Sequence, residues 1–176
     1  GLSKLVSSVA IFKEIERLRP DLASELQENF YFDTRAQNPN ESKFQSVPVF
    51  IKHDGLVSAL YKRQYIETAQ RFSEVPKLTV KQIEALNMVD TLCNNEEFCF
   101  DIKLRPGDME VANNATTFHS RENYQDYDDI KKRRCMFRLW LSLYDGRPLP
   151  DAYENTREWA PTFQRRNKMK GNTKAV

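Results

Sequence analysis

The segment from Leu104 to Leu143 limits what this chain can fold into more than any other. It follows Phe98, Phe100, Ile102 and Leu104, which alternate with Cys99, Asp101 and Lys103. That is the period-2 pattern of a half-buried strand. Pro106-Gly107-Asp108 then predicts a turn, because proline presets φ and glycine tolerates φ > 0. Met109 to Val111 reads as the returning strand, and Asn113-Asn114 suits another tight bend. His119 closes the short run Thr116-Thr117-Phe118. Beyond a polar loop, Cys135 to Leu143 is apolar and aromatic, with Arg134 at its start and Arg138 embedded. This predicts a further strand, in which two residues four apart project from the same face.

An arginine directed into a sheet must meet an anion, because burying a lone charge is very costly. Its planar fork matches a carboxylate in bidentate fashion. A histidine and two inward arginines on neighbouring strands therefore suggest a metal beside a carboxylate ligand. The same residues would equally serve as structural ion pairs, with Asp108 and Glu110 as available acids.

The wording of the segment adds to this. GDMEVANNATTFHSR followed by RRCMFRLWLS closely resembles the C-terminal half of the taurine dioxygenase-like family of iron(II)/2-oxoglutarate oxygenases. It is also similar to the γ-butyrobetaine hydroxylase-type enzymes. SKLVSSVAIF, RPDL, VPVFIKHDG, the EAL helix and GRPLP fit in order, so the resemblance runs from Gly1 to about Pro150. It implies a β-rich α+β fold, a double-stranded β-helix (jelly roll, cupin-like) with flanking helices. It implies hydroxylation or oxidative cleavage of a small organic substrate, with release of succinate and carbon dioxide. Arg138 weakly favours an anionic or zwitterionic substrate. The implied cofactors are iron(II) and the cosubstrate 2-oxoglutarate.

The resemblance also implies site roles. His119 falls on the second metal-ligand histidine, whose neutral imidazole is the ligand form. Arg134 matches the arginine that grips the distal carboxylate of 2-oxoglutarate. Arg138 matches the next arginine, which contacts the cosubstrate or an anionic group of the substrate. Ser3 takes the hydroxyl position of a Gly-Gly-x-Ser/Thr segment that helps hold the distal carboxylate; a plain helix-entry serine is the simpler reading.

The sequence departs from the family in one respect. The other two ligands of the family form a His-x-Asp or His-x-Glu motif upstream of the Ser3 position, and the only histidines here are His53 and His119. Residues 1–150 are therefore expected to be the C-terminal part of an oxygenase jelly-roll domain, with the N-terminal portion and its ligands absent. The alternative is a non-catalytic jelly-roll module that binds a small carboxylate or is structural. The expected partners are a small-molecule substrate, 2-oxoglutarate, and either a companion N-terminal segment or a second copy.

In the remaining sequence, Ser7 or Ser8 can cap a helix to about Arg19, and Pro20 opens a second helix. Phe30 to Ser46 reads as a polar loop with its turn at Asn38-Pro39-Asn40. Val47–Ile51 and Leu56–Tyr61 predict two strands joined by Asp54-Gly55. That turn accounts for Asp54, so His53 and Asp54 are not read as metal ligands. Arg63 to Phe72 predicts a helix, and Thr79-Val80-Lys81-Gln82 is a capping box opening another through Cys93. Residues 151–176 read as a flexible basic tail, although Trp159 and Phe163 could dock. A net charge of +2 does not call for nucleic acid, and no apolar run approaches a membrane span. Cys93, Cys99 and Cys135, an odd number without CxxC spacing, favour a reducing, cytoplasmic setting over disulfides or zinc.

Overall fold

The structure, a computed structural model, describes residues 2–36, 41–123, 125–143 and 145–173, the last five by backbone alone. Strand β1 (Ser3–Ser7) runs directly into helix α1 (Ser8–Leu18). The junction is made by Ser7, whose backbone stays extended while its hydroxyl accepts from the Ala10 N–H at 3.3 Å. That bond satisfies one of the first-turn donors a helix leaves open. Ile11, Phe12 and Ile15, spaced for one helical face, are fully buried. Helix α2 (Pro20–Glu25) begins on its proline, as expected.

Residues 30–46 are not simply a loop. Strands β2 (Asn29–Asp33) and β3 (Phe44–Pro48) pair antiparallel, with Phe30 opposite Val47 and Phe32 opposite Gln45. Phe30, Phe32 and Val47 are buried, so this hairpin supplies part of the core. The Asn38-Pro39-Asn40 turn lies outside the described residues. The strand predicted from Val47 divides: Val47 and Pro48 end β3, and Phe50 opens β4 (Phe50–His53). Strand β5 (Leu56–Ala59) returns through Asp54 and Gly55, both at positive φ (49° and 72°). This is the backbone a two-residue hairpin needs to match strand twist, and it explains the Asp-Gly pair.

Helix α3 (Arg63–Ala69) precedes α4 (Val80–Cys93). Thr79 and Gln82 form the reciprocal capping box, both bonds at 3.1 Å. Ala85, Leu86, Val89 and Leu92 are buried, whereas Ile83 lies outside the stripe. Strands β6 (Cys99–Ile102) and β7 (Thr117–Arg121) flank β1 in an antiparallel sheet of order β6-β1-β7. The first strand of the chain is thus the middle strand of its largest sheet. Helix α5 (Ala160–Thr173) is last.

Three further expectations need correction. Met109 to Val111 is exposed coil rather than strand, although the turn before it is present, with Gly107 at φ 93°. Residues 135–143 carry no strand, because no neighbouring segment offers them a ladder among the described residues. The segment from residue 151 is not a flexible tail throughout: Tyr153 is fully buried and Trp159 nearly so, stacked with ring centroids 5.7 Å apart. Both belong to the same core as Phe12 and Phe50.

The architecture is mixed α/β, with one three-stranded and two two-stranded sheets and no closed barrel among the described residues. No helix is long and apolar enough to cross a membrane among the described residues.

Candidate functional site

Pairing across β1 determines which residues share a sheet face. Val6 lies opposite Phe118 and Lys4 opposite Ser120, whereas Leu5 lies opposite His119 and Ser3 opposite Arg121. Directly opposed residues project to the same side. Lys4, Val6, Phe118 and Ser120 therefore form one face, and Ser3, Leu5 and His119 the other. The Phe118 face packs inward: its ring lies 5.6 Å from Tyr61 and 6.0 Å from Phe50.

A cavity of about 370 Å³ opens beside this sheet. Lys4, Val6 and residues 117–120 form one wall, Tyr61 and Lys62 another, Asp90, Cys93 and Asn94 of α4 a third. Arg138 and Trp140 cross it from the coil, and Glu158 reaches it from the C-terminal segment.

Two polar networks stiffen the walls. The Tyr61 hydroxyl donates to Asp90 Oδ1 at 2.6 Å, and Arg63 donates to Asp90 Oδ2 at 3.1 Å. Burial, reinforced by Asp90, pushes the Tyr61 phenol far above its ordinary range. The half-buried Cys93 thiol is pushed up to about 12, mainly by burial, and so is not a ready nucleophile. Glu158 accepts from Gln45 Nε2 at 2.7 Å and from Lys62 Nζ at 2.9 Å. Burial would raise its carboxyl, but these donors more than offset it and hold the group below the usual carboxylate range. Lys4 lies 3.5 Å from Asp101 and 3.8 Å from Glu122.

Of the four residues singled out from sequence, His119 and Arg138 border this cavity, and Ser3 and Arg134 do not. His119 is exposed and belongs to the sheet face of Ser3 and Leu5, opposite the face of Lys4, Val6, Phe118 and Ser120 that forms the wall, so its imidazole is not directed into the cavity. Ser3 is buried and shares its sheet face with His119. Arg134 and Arg138 are both exposed and lie in coil, not inward on a strand. Arg138 has no ion-pair partner among the described residues, so the reading in which it pairs with Asp108 or Glu110 finds no support. Asp108 instead accepts from the Arg105 N–H at 2.7 Å and closes its own turn. Sequence reasoning missed Tyr61, Lys62, Asp90 and Glu158. Their only sequence signal is aromatic: Tyr61 ends a strand pattern, and Glu158 precedes Trp159.

A three-ligand metal site is not completed here. No group of three or more His, Cys, Asp or Glu side chains could hold a metal among the described residues. His119 offers one imidazole, which does not retain iron(II) by itself. Iron therefore does not fit the residues present without further ligands.

The chain is similar to FR-33289 synthase of Streptomyces rubellomurinus, 27% identical over 165 residues. It is also similar to a taurine hydroxylase-like protein of Stachybotrys chartarum, 29% identical over 142 residues. These matches take in 90% and 79% of this chain but only 48% and 36% of the relatives, so it spans half their length or less. Residues 1–140 match the family described as taurine catabolism dioxygenase TauD, TfdA family. The chain belongs to that family.

Proposed function

We propose that this chain is the C-terminal part of an iron(II)- and 2-oxoglutarate-dependent oxygenase with a double-stranded β-helix. In this reading it hydroxylates or oxidatively cleaves a small, anionic or zwitterionic substrate, releasing succinate and carbon dioxide. The observation that carries the proposal is that residues 1–140 match the TauD, TfdA family, with His119 and Arg138 resembling its histidine and arginine positions. The names of its relatives, a synthase and a hydroxylase-like protein, support an oxygenase-type activity. His119 supplies one metal-ligand nitrogen, and Arg138, Arg134 and Ser3 hold the carboxylates of 2-oxoglutarate. Two further ligands come from outside these residues, so the chain alone is inactive. The free cysteines Cys93, Cys99 and Cys135 support a cytoplasmic setting.

The second reading, a non-catalytic carboxylate-binding or structural module, is favoured by the lack of a metal-holding group among the described residues. One experiment separates the two. The complete protein, given iron(II) and 2-oxoglutarate, is expected to form succinate, and His119→Ala to lower its bound iron without unfolding it. No succinate, together with iron content unchanged by His119→Ala, sinks the oxygenase reading.

A further inference from the structure

The coil that carries Arg138 has little of its own to hold it. Residues 136–141 make no hydrogen bond or ion pair among the described residues. The anchors come next in the chain, on the C-terminal helix. Ser142 Oγ lies 3.2 Å from Thr162 Oγ1, and Arg165 donates to the same Ser142 oxygen at 3.4 Å. Arg166 donates to the Arg147 carbonyl at 3.0 Å, and Arg147 donates to the Val57 carbonyl of β5 at 2.6 Å. Thr162, Arg165 and Arg166 are spaced i, i+3, i+4, so one face of α5 grips both ends of the 142–147 turn. Gly146 lets the grip close: a Cβ there would stand 2.5 Å from Arg166 Nη2. The helix is seated independently, since Trp159 is buried just before it and Phe163 packs against the same core.

The grip is costly. The Nε atoms of Arg147 and Arg166 are buried without a hydrogen-bond partner, and what each guanidinium holds is a backbone carbonyl, not an acid. A buried donor without an acceptor lowers stability, and its retention calls for a reason. Position supplies one. The family match ends at residue 140, so it takes in Arg138 but neither the turn nor α5. We propose that Arg166 is a positioning residue: with Thr162 and Arg165 it fixes the 142–147 turn and thereby sets where Arg138 and Trp140 stand at the cavity. Arg138 is four residues from Ser142, at most about 14 Å of extended chain, so displacing the turn displaces it. The effect on the cosubstrate rests on the reading of Arg138 as a 2-oxoglutarate contact; the placement of the coil does not.

The test uses the two tryptophans of the chain, Trp140 at the cavity and Trp159 in the core, labelled as 5-fluorotryptophan and read by fluorine NMR. Arg166→Ala and Gly146→Ala are each expected to shift the Trp140 resonance and leave that of Trp159 in place. Arg166→Lys, which keeps one donor for the Arg147 carbonyl, is expected to hold Trp140 near its parent position. In the complete protein Arg166→Ala is expected to raise KM for 2-oxoglutarate about threefold or more, with kcat changed less than about twofold, the split of a weakened binding contact. An unmoved Trp140 resonance in both alanine variants overturns the proposal. A shift of both tryptophans together also overturns it, because the helix itself is then lost, and so does a shifted Trp140 with unchanged KM in an active protein. A parent protein without turnover removes the oxygenase reading, and the fluorine spectra of this chain then decide the placement by themselves.

Discussion

Tyr61 and Asp90 are joined by a 2.6 Å hydrogen bond that ties the segment after β5 to α4 at the wall of the cavity. Tyr61→Phe is expected to cost about 1.5–3 kcal/mol at pH 7, the usual worth of a hydrogen bond to a charged acceptor. The bond also gives stability an alkaline limit. Because the folded phenol titrates above its ordinary value of 10.0, stability is intact below that pH and is lost as pH rises beyond it. Tyr153 is shifted the same way by burial, so the limit is shared. Urea midpoints at pH 7 and 10.5 should fall less steeply in Tyr61→Phe than in the parent; an identical fall would contradict this.

Glu158 has the opposite sign. Its carboxyl is held below the usual range, so its contribution is present above about pH 4.5 and disappears as the pH falls through the folded value. Lys62 is 42% exposed, which screens the pair. Glu158→Gln should therefore cost only about 1–2 kcal/mol at neutral pH. Acid titration of unfolding, followed by far-UV circular dichroism, should show a shallower limb in the variant.

The docked C-terminal segment invites two contrasting substitutions. Trp159→Ala removes a buried aromatic and is expected to cost about 3–5 kcal/mol. Tyr153 is also fully buried, but its hydroxyl has no hydrogen-bond partner among the described residues. Tyr153→Phe should thus be neutral or slightly stabilising, since it removes a polar atom without a partner. Calorimetric midpoints decide both; a large loss in Tyr153→Phe would reveal a bond to the hydroxyl.

Arg138 separates stability from binding. It is exposed and makes no ion pair among the described residues, so Arg138→Gln should alter stability by less than about 0.5 kcal/mol. In the complete protein the same change should weaken 2-oxoglutarate binding roughly tenfold or more, the cost of a lost charge-assisted contact. Calorimetric titration with 2-oxoglutarate measures it. Unchanged affinity would remove Arg138 from the cosubstrate site.

Features fixed by neighbouring residues were the most legible in the sequence. The Ser7 cap, the Thr79–Gln82 box, the Asp54-Gly55 hairpin and the Gly107 turn each follow from local backbone chemistry. Phe30 and Phe32 were missed because their alternation is short and set among polar residues, and only pairing with β3 makes it a strand. The docking of Tyr153 and Trp159 depends on a cavity built elsewhere in the chain, so composition alone suggested a tail. For residues 135–143 the apolar, aromatic run suggested a strand, but such a run does not supply a hydrogen-bonding neighbour. His119 and Arg138 were singled out from the residue pattern, and their roles were implied by the resemblance to a family. Glu158 and Lys62 meet through tertiary packing that no local pattern encodes.

The place of β1 between β6 and β7 bears on how the molecule is made. Ser3 pairs with Ile102 on one side and Arg121 on the other, so both neighbours lie roughly a hundred residues downstream, the kind of separation that slows folding. During synthesis β1 leaves the ribosome about a hundred residues before either of these neighbours, and the helices and the two hairpins condense in between. Assembly of this sheet is then a late event, and a ribosome stalled before β6 would hold a nascent chain with an open strand exposed to aggregation.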